Sequence, residues 1–149
     1  MQLDWEKMFK RYVFDDERTP YFTRAERLTQ TQARYELFVY TVFLGALFAV
    51  LSVATLSPDL PHRGAAGVSA YALSVVLAAV AFGVTRHAWT AAYCASAPLA
   101  ALFYFLIYGF HPNLGTADKV LLVVAVLVWL RYSWRVLAVV RFYPSMPPR

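Results

Sequence analysis

The chain holds a single cysteine in 149 residues. Cys94 has no partner here for a disulfide, and no thiol pair is present for redox exchange. Acid is also scarce, with nine Asp and Glu against 14 Lys and Arg. Only Glu36 comes near the body of a long apolar run, so no carboxylate pair lies at depth to act as general acid and base. The three histidines, His62, His87 and His111, all fall at the ends of apolar runs. They lack the four-residue spacing or facing depths that metal and haem ligation require. No GxSxG elbow and no glycine-rich phosphate loop occurs.

What fills the chain instead is apolar residue, 60% of the total, with a mean hydropathy of +0.48. Soluble domains average about 45–50% apolar. A soluble unit of this size has too little interior to bury such a surplus. The residues are also blocked into runs rather than spread as stripes, which a helix with one wet face would not show. The net charge of +5 does not indicate nucleic acid, because the basic residues flank the apolar runs instead of forming a patch.

Four runs reach the ~20 residues that a helix needs to cross a ~30 Å hydrocarbon core. They cover about 35–56, 65–85, 88–110 and 119–140. The fold class expected is all-α, an integral membrane four-helix bundle preceded by an N-terminal amphipathic helix. Turn chemistry ends the first run at Ser57-Pro58-Asp59-Leu60-Pro61 and the third at His111-Pro112-Asn113-Leu114-Gly115. Only Arg86 and His87 separate the second and third, which predicts a tight antiparallel hairpin. Pro98 removes a backbone donor within the third span and predicts a kink there.

Twelve of the 14 basic residues fall on one side of this arrangement, leaving Arg63 and Lys119 on the other. The positive-inside bias then places both termini and the Arg86 turn in the cytoplasm, in a plasma (inner) membrane. No short basic segment and cleavage site precede the first run, so that span is expected to serve as its own uncleaved insertion signal.

Residues 1–34 form an arm. Trp5, Phe9 and Tyr12 recur at helical spacing opposite Glu6, Lys7, Lys10 and Arg11, the pattern of an interfacial anchoring helix. Thr23 and Glu26 match a capping box, predicting a helix that begins there and that, if unbroken into the first span, projects from the membrane on the cytoplasmic side. Residues 141–149 read as a cytoplasmic tail whose Pro-rich end frays.

Helices in lipid associate by close contact of small residues. Ala70, Ser74 and Ala78 repeat at four-residue intervals in the second span, and Ala92, Ser96 and Ala100 do so in the third. These stripes predict that the two spans pack together. The upper fourth span, 120–130, is nearly all Val and Leu, a surface for lipid or for a partner's helices.

Arg131 and Arg135 are the most informative residues. They share a helix face, and Arg131 lies about 12 residues, or ~18 Å, below Lys119, within the hydrocarbon. A charge near the membrane centre costs at least ~2.5 kcal/mol. Three accounts compete: snorkelling to inner headgroups, pairing with Glu36 at a similar level, or binding an anionic lipid headgroup or a partner's carboxylate. Snorkelling with a lipid or partner contact is the preferred expectation, with Arg131, Arg135 and Glu36 as the candidate lipid- or partner-binding set. In the third span Phe103, Tyr104 and Phe105 lie deeper than an interface belt. No cofactor is called for; bound lipid fits, and a pigment or quinone against these rings stays open.

In size and hydropathy the chain is similar to small multidrug-resistance transporters. Those proteins rely on an acid well inside the first span, whereas Glu36 sits at its edge, and the charge bias here opposes dual insertion. Quinone-reducing thiol enzymes with four-helix cores need Cys pairs that this chain lacks. The expected function is a non-catalytic accessory, assembly or scaffolding subunit of a larger membrane complex, docking through its spans and arm. A small homo-oligomeric transporter or channel for an anionic solute is the alternative, and an enzyme on lipid or quinone the third. The expected partners are other membrane subunits and anionic inner-leaflet lipids.

Overall fold

The computed structural model describes residues 21, 23–56 and 66–148. Among the described residues there are helices and turns and no strand. The expected anchor residues Trp5, Phe9 and Tyr12, and His62, lie outside them.

A 3₁₀ turn at Ala25–Arg27 leads into α1, Gln30–Ala54. Then follow α2 (Ala66–Thr85), α3 (Ala88–Ala95), α4 (Ala97–Tyr108) and α5 (Thr116–Phe142), closed by a 3₁₀ turn at Tyr143–Ser145. Four helical segments are long and apolar enough to span a membrane, with α3 and α4 together forming the third. The fold is that of a multi-pass membrane bundle. Neighbours in sequence pack side by side, and α5 closes the ring against α3, α4 and α1.

The first helix starts later than Thr23 and Glu26 predict. Its capping box is Thr29 and Gln32: the Gln32 N–H donates to Thr29 Oγ1 at 3.3 Å, and the Thr29 N–H donates to Gln32 Oε1 at 3.0 Å. Both tetrapeptides fit the pattern. Leu28 decides between them, because it is fully buried and needs an extended backbone between the 3₁₀ turn and the helix. The turn itself packs on α5.

The Pro-rich segment 144–148 does not fray. Met146 is buried, Pro147 C=O accepts from the Gln30 N–H at 2.8 Å, and Pro148 C=O accepts from Thr31 Oγ1 at 3.3 Å. The first amides of α1 lack partners within the helix, so the tail supplies one. The α2–α3 turn is also held by this segment. Arg86 adopts a left-handed backbone, φ 52°, which a non-glycine residue occupies at a cost of about 1–2 kcal/mol. Its guanidinium donates to Tyr143 Oη at 2.7 Å and lies 5.1 Å from the ring centroid, offsetting that cost.

Between α1 and α2 the contact is close at both ends. Ser52 and Ser69 bridge one end, with Ser69 Oγ donating to Ser52 C=O at 2.9 Å. At the other, a Cβ added to Gly83 would stand 3.0 Å from Thr41 Cγ2. The packed face of α2 is Ser69, Ala72, Val75, Ala79 and Phe82, offset from the expected stripe. Ala70 is exposed, Ala78 is half-buried, and Ser74 bonds Tyr93 Oη at 2.7 Å. Opposite them Ala92 is exposed, Ser96 and Ala100 are half-buried, and Ala91, Cys94, Ala95 and Ala97 face inward. Small residues occur all round these helices, so larger groups such as Val75 and Phe82, with the Ser52–Ser69 bridge, set the rotation.

The kink expected from Pro98 is present as a break at Ser96 between α3 and α4. Proline at 98 leaves the carbonyl of Cys94, four residues earlier, without its helical donor. Tyr40 Oη takes that place at 3.4 Å.

Candidate functional site

The arginine-rich end of the bundle gathers most of its buried polar chemistry. Glu36, 1% exposed, faces Arg135 across α1 and α5. Arg135 Nε donates to Glu36 Oε1 at 2.6 Å and an Nη donates to Oε2 at 3.0 Å, a two-point fork. The other Nη donates to Thr23 C=O at 2.5 Å, fastening the chain before α1 to the same guanidinium. Pairing therefore replaces snorkelling as the account of Arg135. It neutralises a charge that would be costly to leave unpaired at this depth. Tyr21 lies in the same cluster, and burial together with the Glu36 carboxylate pushes its phenol above the usual range.

One turn along α1, Tyr40 is 1% exposed, and its Oη lies 3.0 Å from Ser133 Oγ and donates to the Cys94 C=O. A single hydroxyl thus joins α1, α3 and α5. Tyr40 and Ser133 were not singled out from the sequence. The available signal was depth: Glu36 and Tyr40 are one turn apart on the first span, and Ser133 and Arg135 lie at the matching level of the fourth.

Arg131 is placed differently from Arg135. It is exposed, and its guanidinium makes no hydrogen bond or ion pair with any described residue. It lines a groove of about 670 Å³ between the 3₁₀ turn and α5, with Tyr21, Arg24, Glu26, Tyr132 and Trp134 among its walls. Arg135 forms part of the floor.

At the opposite end Tyr104 and Phe105 line an apolar slot of about 390 Å³ with Phe48, Tyr71 and Tyr108. Phe103 instead points outward and is 62% exposed. Tyr71 Oη and Trp129 Nε1 are buried without a hydrogen-bond partner among the described residues, and both rings lie 6.2 Å from that of Phe48. His87 and His111 are exposed, and His111 Nδ1 accepts from the Asn113 N–H at 3.2 Å. Among the described residues no group of three or more His, Cys, Asp or Glu comes together.

Comparison of the chain with protein-family models, curated proteins and solved structures finds no match.

Proposed function

We propose that this chain is a non-catalytic accessory or assembly subunit of a larger membrane complex. It docks laterally through its helices and its N-terminal arm, with both termini on the cytoplasmic side of the plasma membrane. The observation that carries the reading is how the buried carboxylate and serine side chains are used. Among the described residues these are Glu36, Ser69 and Ser133, and each is bonded to another helix: to Arg135, Ser52 and Tyr40. A general acid or base must be free to meet a substrate's proton. These groups are committed to holding helices together. The outward surface of α5 is meanwhile a wall of Val120, Leu121, Val124, Leu127 and Val128, suited to neighbouring helices or lipid.

Gentle extraction of the full chain, followed by sizing and mass spectrometry, tests this reading. A stable assembly with other membrane proteins is the expected result. Recovery only as a monomer or homo-oligomer counts against it. The anion-transport alternative is weakened by the Glu36–Arg135 fork, which cancels one of the two charges it relied upon. Flux in liposomes that is abolished by Arg131→Leu would restore it.

A further inference from the structure

We infer that the groove between the 3₁₀ turn and α5 is a binding site for the phosphate of an anionic glycerophospholipid, held by Arg24 and Arg131. The inference stands whether or not the chain is an accessory subunit.

Charge is the first argument. Arg24, Arg131 and Arg135 contribute three positive charges to the groove, and Glu26 on its wall and Glu36 behind Arg135 contribute two negative ones. Among the described residues one positive charge is left over. Arg24 and Arg131 are both exposed, and their guanidinium groups form no ion pair or hydrogen bond with any described residue. Arg131 belongs to a spanning helix, where a guanidinium without an anion is costly. A phosphate meets that need with several acceptor oxygens, and the planar fork of arginine matches it.

Shape is the second argument, and it separates a lipid from a soluble anion. Val124, Leu127 and Val128 stand on the same face of α5 as Arg131, on the two turns above it. They are 48%, 49% and 63% exposed, so a strip ~10 Å long runs from the guanidinium toward the membrane centre. An acyl chain lying on that strip places its phosphate at Arg131. Trp134, one turn below and 67% exposed, offers an indole on the cytoplasmic side of Arg131, the side on which a headgroup would lie. Arg24 reaches the same place from the preceding segment, which Arg135 fastens through Thr23 C=O. A partner's carboxylate would satisfy Arg131 but makes no use of the strip.

The test uses the full chain in nanodiscs of equal parts phosphatidylglycerol and phosphatidylcholine. Lipids retained after transfer to detergent are read by native mass spectrometry. Phosphatidylglycerol should be enriched on the native chain, and Arg24→Gln and Arg131→Gln should each reduce the enrichment about fivefold, from ~1 kcal/mol per basic residue at a membrane surface. Arg34→Gln, beside a different cavity between α1 and α2, should leave it unchanged. Unchanged helical circular dichroism in the variants separates lost binding from lost folding. Inorganic phosphate should fail to displace the lipid; displacement would mean a site for free phosphate and overturn the assignment. It is equally overturned if the native chain shows no enrichment, if both arginine variants retain it, or if a co-purifying protein cross-links to the groove in place of lipid.

Discussion

Replacing Glu36 by Gln removes one charge from the fork on Arg135 while keeping nearly the same volume. The glutamine oxygen still accepts from Nε, but its amide nitrogen faces the Nη that formerly donated to Oε2 at 3.0 Å. Breaking one partner out of a buried pair costs about 3–5 kcal/mol, because the remaining charge is left uncompensated. Arg135 keeps its bond to Thr23 C=O, and its side chain is 20% exposed, which places the expected loss at the lower end, about 3 kcal/mol. The double replacement Glu36→Leu with Arg135→Leu removes both charges and should come within about 1 kcal/mol of the native chain. Unfolding in mixed micelles by SDS titration, followed by circular dichroism, of the native chain, Glu36→Leu, Arg135→Leu and the double variant gives the four stabilities of the cycle. A coupling of about 2 kcal/mol or more is expected for groups in direct contact. Single variants that each shift stability by less than about 0.5 kcal/mol, with additive effects, would mean that the pair behaves as an exposed ion pair, and the argument fails.

Tyr40→Phe strands the buried Ser133 hydroxyl and the Cys94 carbonyl and should cost about 1–3 kcal/mol in the same titration. In a Pro98→Ala background residue 98 regains its N–H for Cys94 C=O, so a smaller penalty is expected there; equal penalties would separate Tyr40 from the kink. Gly83→Leu drives side-chain atoms into Thr41 and should destabilise by about 1–3 kcal/mol. Gly45→Ala, with nothing within 4 Å of the added atom, should stabilise by about 0.5–1 kcal/mol, and the reverse order of the two glycines contradicts the α1–α2 packing. Truncation after Ser145 removes the acceptor of the Gln30 N–H, so hydrogen exchange at the start of α1 should accelerate. No change there would mean that the tail does not cap the helix.

Much of the architecture was legible in one dimension. The four spans, the two-residue turn at Arg86 and His87 and the break near Pro98 all follow from run length and backbone donors. Depth alone places Glu36 level with Arg135 but does not decide between their pairing and snorkelling. The groove was half visible: Arg131 stood out as a charge at depth, whereas Arg24 looked like one more basic residue of the arm. Its place beside Arg131 depends on the 3₁₀ turn folding back onto α5.

Apolar length was sufficient to determine the crossings because a chain in lipid must satisfy its backbone hydrogen bonds within each helix. That requirement is local and is read along the sequence. Rotation of each helix about its axis is not local. Four-residue stripes of small residues allow several nearly equivalent faces, Thr23-x-x-Glu26 and Thr29-x-x-Gln32 are equal as caps, and Arg131 and Arg135 lie on one face. Only tertiary contacts resolved these choices: Ser52 with Ser69, buried Leu28, Pro147 C=O on Gln30, and the single carboxylate of Glu36. One carboxylate fully engages one guanidinium, so Arg135 is neutralised inside the bundle and Arg131 is left facing outward.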